Sequence, residues 1–239
     1  MDPGTWLRRT ELDSLGLAEM VEQIARSDAE GVPHEPRHYP GYPTWSLPRV
    51  RRRWWPGLDS ILHRRRCVNR LGTTLPSART LGQILGLAHG ISGTTDRGPT
   101  PSAGGLQALE LFAVTWQPGW LPRGSYHYDR HAHSLAQIVP EANGWPERVP
   151  SLRQITGGAV LWILVGETAR VAARYGERGE RFLLLEAGHL MQNLCLVSAS
   201  LGLCTVPLGG FLESAIAHEL RLPTSDRVLY IGVCGQPQK

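Results

Sequence analysis

Apolar positions follow different rhythms along this chain, and each rhythm predicts an element. Leu12, Leu15, Leu17, Met20, Val21 and Ile24 lie within Leu7 to Ile24 at the spacing of an amphipathic helix. Leu58 to Arg65 reads as a short helix. Ala78 to His89 reads as another, with Leu81, Ile84, Leu85 and Leu87 on its inner side. Glu110 to Trp116 and Tyr126 to Asp129 read as strands, the second on the alternating pattern of a hairpin. Ala159 to Gly166 is an unbroken apolar run and predicts a buried strand. Thr168 to Tyr175 predicts a helix, and a glycine-punctuated charged turn then leads into a long one ending at Gly202. Val206 sits in a short strand, Phe211 to Leu222 predicts a helix, and Val228 to Val233 predicts a closing strand. Strands and helices alternate loosely with hairpins among them, which predicts an α+β fold with a mixed or antiparallel sheet.

The long helix is apolar on nearly every side: Leu183, Leu184, Ala187, Leu190, Met191, Leu194, Val197 and Leu201 leave no wide polar face. Such a helix has to be covered from several directions. It predicts a central core helix with one side at a subunit interface. Residues 1–57 behave differently. Beyond the helix, Pro33, Pro36, Pro40, Pro43, Pro48 and Pro56 exclude a regular helix, so that stretch predicts an extended arm over a neighbour. The expected organisation is a helix and arm over 1–57 and a globular domain over 58–239.

Composition adds little to this picture and removes several alternatives. The chain of 239 residues is 41% hydrophobic and 19% charged, below the roughly 25% charged residues of ordinary domains, as expected of a surface partly hidden in an oligomer. Net charge is +4, concentrated in Arg49, Arg51, Arg52 and Arg53 and in Arg64, Arg65 and Arg66. These clusters suit an anion. The four cysteines, Cys67, Cys195, Cys204 and Cys234, form no Cys-x-x-Cys pair and no zinc spacing. They predict free thiols and a reducing, cytoplasmic setting with no metal site. Arg8, Arg9, Glu11 and Asp13 near the start predict no signal peptide, and Ala159 to Val165 is too short to span a bilayer. The dinucleotide fingerprint, the phosphate-binding loop of nucleotide hydrolases, the nucleophile elbow and the zinc-peptidase motif are all missing from the sequence.

The candidate chemistry lies in five short segments. Arg64-Arg-Arg-Cys-Val-Asn-Arg70 gathers guanidinium groups that can grip a phosphate; a solvated basic face is the plainer reading. Pro101-Ser-Ala-Gly-Gly-Leu-Gln107 is a loop of small residues through which backbone can approach a flat ring, or an ordinary loop before a strand. Gly124-Ser-Tyr-His-Tyr-Asp129 is a hairpin strand of alternating aromatics. Arg174-Tyr175 closes a helix, either as surface and packing residues or as part of a site. Val206-Pro-Leu-Gly-Gly-Phe211 ends a strand ahead of a helix. His131 and His133 read as solvated loop histidines, and His189 as a hydrogen-bonded core histidine.

In this order, from Tyr39 to Gly235, the segments resemble the SagB-type, azole-forming dehydrogenases of the nitroreductase superfamily. The resemblance implies a nitroreductase-like α+β fold and a homodimer with flavin mononucleotide (FMN) at its interface. It implies cofactor contacts from Arg65, Arg66, Cys67 and Asn69, from Ser102, Ala103 and Gly104, and from Gly209 and Gly210. Cys67 stands where the family has serine, Asn69 where it has arginine or lysine, and Gln107 where histidine is common. Azoline-oxidising members carry Lys-Tyr where this chain has Arg174 and Tyr175. Those two are therefore the implied catalytic pair, with an arginine too basic to act as a base. The implied activity is two-electron oxidation of a thiazoline or oxazoline in a peptide or peptide-derived substrate, presented free or by a carrier or partner protein. Two alternatives stay open: a nicotinamide-driven nitro, quinone or enone reductase on the same fold, and a flavin-free protein binding peptide or, less favoured, nucleic acid through Arg49 to Arg66. No membrane association is implied.

Overall fold

The computed structural model describes residues 11, 13–32, 35–50, 57–92, 96–117, 119–141 and 143–238. Leu7, Leu12, Pro33, Pro56 and the Arg51–Arg53 cluster lie outside the described residues. The elements, in chain order, are α1 (Ser14–Glu30), β1 (Thr44–Ser46), α2 (Leu58–Arg64), β2 (Arg70–Leu71), α3 (Ala78–His89), β3 (Leu109–Thr115), β4 (Gly124–Asp129), β5 (Ser134–Pro140), α4 (Trp145–Arg148), β6 (Thr156–Gly157), β7 (Val160–Glu167), α5 (Thr168–Tyr175), α6 (Gly179–Ser200), β8 (Cys204–Leu208), α7 (Glu213–Glu219) and β9 (Asp226–Gly235).

The main sheet runs β1-β5-β4-β3-β7-β9-β8. Every neighbouring pair in it is antiparallel, and a separate two-residue ladder joins β2 to β6 in parallel. β7 shows why its sequence is apolar without a break. Val160, Trp162 and Leu164 point into one core with Leu81, Leu85, Leu190 and Leu194. Leu161, Ile163 and Val165 point into the other, with Trp145, Ile216 and Ile231. Period-two alternation sends successive side chains to opposite faces, and both faces are covered here. Tyr126 and Tyr128 belong to the first core, as the hairpin alternation predicts.

Several boundaries differ from the sequence reading. α1 is N-capped by Asp13, whose side chain accepts from Gly16 N at 2.8 Å. It runs on to Glu30, past the last apolar position at Ile24, because nothing breaks it before Gly31 at φ 76. Within the described part of the arm, β1 is an edge strand paired to β5. β5 was not expected, although Leu135 and Ile138 are buried along it. The last helix begins at Glu213, since Leu212 is extended; Gly209 and Gly210 therefore sit in a loop and not at a helix N-terminus. The stretch Thr168–Ser200 is apolar and long enough by composition to cross a membrane, but Gly176 at φ 55 divides it into two helices, and α6 buries Leu183, Leu190 and Leu194 in the core.

Candidate functional site

The corner between α5 and α6 gathers the residues singled out at Ser102, Gly104, Arg174 and Tyr175. α5 starts directly after β7 and buries Val171. Tyr175 packs edge-on against Phe182 of α6, ring centres 4.9 Å apart. The Arg174 guanidinium donates Nε–H to the Tyr175 hydroxyl oxygen at 3.3 Å. Its Nη1 lies 2.5 Å from Asp28 Oδ1 and 3.1 Å from Ser27 Oγ, both on α1. Asp28 above all, then Tyr175, holds Arg174 in its charged form, above the ordinary arginine range. Gly104, at φ 58 within the one-turn helix Ala103–Gly105, lies directly over this pair. A Cβ there would overlap the Tyr175 hydroxyl and stand 3.0 Å from Arg174 Nε, so the backbone favours glycine and any side chain would displace the ends of Tyr175 and Arg174.

Behind the loop stands Glu186 of α6, 3% exposed. Ser102 Oγ donates to Glu186 Oε2 at 2.6 Å and accepts from Gln107 N at 2.8 Å. Burial pushes the Glu186 carboxyl up to about 7, against the opposing pull of Ser102, Arg170 and Arg130. The sequence reading missed Glu186. A lone carboxylate on the apolar side of a helix was the available signal, because such a group needs partners.

The arginine segment sits at the other end of α6. Arg65 is half-buried; Arg64, Arg66, Cys67 and Asn69 are exposed. Arg64, Arg65 and Arg66 line a cleft of about 200 Å³ with Cys195, Ala199 and Thr205. No carboxylate among the described residues pairs with the three guanidinium groups. The chain here is pinned by backbone: Cys204 Sγ lies 3.1 Å from Arg66 O, and Asn69 O accepts from Thr156 N at 2.7 Å. Gly210 O accepts from Ser151 N and Oγ, and nothing lies within 4 Å of where a Gly209 Cβ would be. One chain thus separates two sets of predicted contacts. Glu186, behind Ser102, and Ala199, in the arginine cleft, are 13 residues apart on one helix, about 20 Å.

A third cluster was not anticipated. Glu110 interrupts an apolar strand and meets His127 Nε2 at 2.5 Å. Arg37 from the arm joins Asp226 and, at 3.2 Å, Glu167, which also meets Arg170 at 3.4 Å. Burial raises the Glu110 carboxyl, but His127 and Arg37 outweigh it and leave it below the usual range. Two histidine expectations fail. His189 keeps a hydrogen-bond contact, Nδ1 to Pro101 O at 3.4 Å, but it lies outside the core, on the exposed side of α6 with Leu185 and Gln192. His133 is half-buried and bonded to Tyr128 Oη at 2.8 Å, which ties its loop to the hairpin. The thiols are free, and burial pushes Cys195 up to about 12 and Cys234 to about 11, so neither is a nucleophile at neutral pH. A cavity of about 430 Å³ between Trp116, Trp145 and Ile155 holds none of the predicted residues and one titratable group, Arg153. The predicted residues instead gather at the α5–α6 corner and the arginine cleft.

The sequence pattern of the Nitroreductase family matches residues 62–236. MJ1384 of Methanocaldococcus jannaschii, described as a nitroreductase, is 32% identical over 69% of this chain and 84% of its own length. The microcin B17-processing protein McbC of Escherichia coli is 30% identical over 53% of this chain and 49% of its length. Among solved structures, a nitroreductase from Ralstonia eutropha superposes with a TM-score of 0.73 at 20% identity, covering 87% of this chain and 96% of that one. A chain of the E. coli microcin synthetase McbBCD complex, with truncated pro-MccB17 bound, gives 0.64 at 20% identity over 98% and 86%. The α+β fold expected from the sequence is the fold these structures share.

Proposed function

The chain belongs to the nitroreductase family, and from that premise we propose that it is an FMN-dependent oxidoreductase that oxidises a thiazoline or oxazoline ring in a peptide-derived substrate. The observation that carries this reading is the α5–α6 corner, where Gly104 lies against the Arg174–Tyr175 pair. Similarity to a microcin-processing protein supports a peptide as the source of the substrate. The residues present fit the cofactor: guanidinium groups at an open cleft, paired by no carboxylate among the described residues, suit a phosphate, and a loop of small residues with Gly104 exposed beside the Arg174–Tyr175 pair suits a flat ring. Arg65 and Arg66 would hold the phosphate, with Cys67 and Asn69 beside it. Ser102, Ala103 and Gly104 would face the ring, and so would the open loop at Gly209 and Gly210. When bound, FMN supplies the acceptor for two electrons. The chain's own part is to seat the substrate ring and handle its proton. Tyr175 Oη accepts from Arg174, so its own O–H is free to orient the substrate ring and to relay the ring proton, passing its own on as it takes that one. Arg174 stays charged and contributes an anion contact, not a base.

The separation of the two contact sets supports a homodimer. α6 exposes Leu184 (44%) and Leu185 (55%), with exposed Gly188, His189 and Gln192 along the same stripe. Antiparallel pairing of two copies about an axis near Gln192, at the end of that stripe, would bring the Ser102–Gly104 loop of one toward the arginine cleft of the other. The expected assembly is a dimer burying more than about 2,000 Å². Light scattering that finds a folded monomer would count against it.

The direct test is the absorbance spectrum of purified protein, with mass spectrometry of the released ligand. FMN is expected, and Arg66→Ala should strip most of it. Flavin adenine dinucleotide or no ligand would overturn the cofactor. The fixed charge on Arg174 favours one second reading, a nicotinamide-driven reductase. Rapid reduction of the bound flavin by a nicotinamide in stopped flow, without azoline turnover, would decide for it.

A further inference from the structure

Glu186 is a buried carboxyl with no part in the chemistry described so far, yet it touches the loop that this reading places against the cofactor. Its oxygens are taken by the Ser102 hydroxyl at 2.6 Å and by the Ala108 N–H. The charged groups facing it are Arg170 from α5 and Arg130 from the turn after β4. Each guanidinium is partly engaged elsewhere, Arg170 at Glu167 and Gln107 O, and Arg130 at Asp96 O. Ser102 Oγ also accepts from Gln107 N at 2.8 Å.

A serine hydroxyl has one proton to give and two lone pairs to receive with. With Glu186 ionised, the Ser102 proton points inward to the carboxylate, and one lone pair takes the Gln107 N–H. With Glu186 protonated, the carboxyl donates to Ser102 Oγ. Both lone pairs are then filled, and the hydroxyl proton turns outward. Ser102 is half-buried, so the outward direction is open to a ligand on the loop.

We propose that Glu186 is a positioning residue, whose gain or loss of a proton reverses the Glu186–Ser102 hydrogen bond and so decides whether the Ser102 hydroxyl donates into the protein or out to a flavin bound on the loop. The proposal rests on the flavin reading for the identity of that ligand. Burial sets the carboxyl at about 7, so both forms are populated near neutrality.

Two measurements test it. The first needs no flavin. Infrared spectra of the unliganded protein should show the carbonyl band of a protonated buried carboxyl, lost as pH rises through about 7 and absent in Glu186→Gln. In Ser102→Ala the ionised carboxylate loses its donor, so the midpoint should move up by about one pH unit. A carboxyl already ionised at about pH 5, or a midpoint unmoved in Ser102→Ala, would overturn the proposal. The second is FMN affinity by fluorescence titration. The parent should bind about fivefold more tightly at about pH 6 than at about pH 8, beyond any change shared by all variants through the phosphate of FMN itself. Glu186→Gln should keep the tight value throughout, since its amide can donate to Ser102, and Ser102→Ala the weak one. Equal pH dependence in all three proteins would remove the outward donor. Failure of every variant to bind FMN, with the infrared result intact, would overturn the flavin reading and the proposal's ligand with it.

Discussion

Tyr175→Phe should lower azoline turnover by about 10²-fold or more while leaving flavin occupancy and substrate binding close to the parent. The change deletes only the hydroxyl, and the edge-on packing of the ring on Phe182 at 4.9 Å remains. Loss of a positioned proton-transfer group costs about 10²–10⁴-fold. Arg174 behaves differently. It is tied to Asp28 and Ser27 of α1 and to the Tyr175 oxygen, and Asp28 keeps it charged. Arg174→Ala should therefore weaken substrate binding and loosen α1 more than it slows the chemical step. Arg174→Lys can still reach Asp28 and should keep or raise turnover. Steady-state kinetics separate the cases. A drop of about 10²-fold or more in kcat for Arg174→Ala at unchanged KM would place Arg174 in the chemical step and overturn this assignment. Parent-like oxidation by both Tyr175→Phe and Arg174→Ala would leave the pair structural.

The second large effect is on stability. Trp162→Ala should destabilise the fold by about 3–5 kcal/mol, a large share of the roughly 5–15 kcal/mol that holds a domain folded. Trp162 is wholly buried in the central strand. It packs in the core shared with α3 and α6, and its Nε1–H donates to Thr205 Oγ1 at 3.3 Å. Thr205 Oγ1 also meets Ser198 Oγ at 2.8 Å, so the change opens a cavity and loosens a buried polar link between α6 and β8. Urea unfolding followed by circular dichroism measures the loss. A cost under about 1 kcal/mol would mean that the site collapses around the missing ring, and that this core is less rigid than its packing suggests.

Elements whose pattern is local were legible in the chain. Ala78–His89 and Thr168–Tyr175 carry their spacing and their ends in the sequence, and both appear with the predicted bounds. The buried strand at Val160–Glu167 was visible because two covered faces leave no polar alternation. The family was visible for another reason: its resemblance is carried by short segments, such as the small residues at Gly104 and Gly105 and the charges at Arg64 to Arg66, whose character is local. Where the chain depends on a distant partner, the sequence was silent. β5 exists because β4 and β1 pair on its two sides. His189 reads as a core residue in a list of apolar neighbours, yet the helix turns it outward. Arg174 reads as a surface residue or a site residue, and only the packing of α1 on α5 brings Asp28 to it. Glu186 gains its meaning from Ser102, 84 positions earlier in the chain. The sequence by itself determined which residues alternate, cap, break and attract anions, because those properties belong to a residue and its near neighbours. Tertiary structure alone decided which buried charges meet, and it placed the two halves of the predicted cofactor site at opposite ends of one helix, because a hydrogen bond of 2.6 Å depends on where two distant segments pack and not on either segment's own pattern.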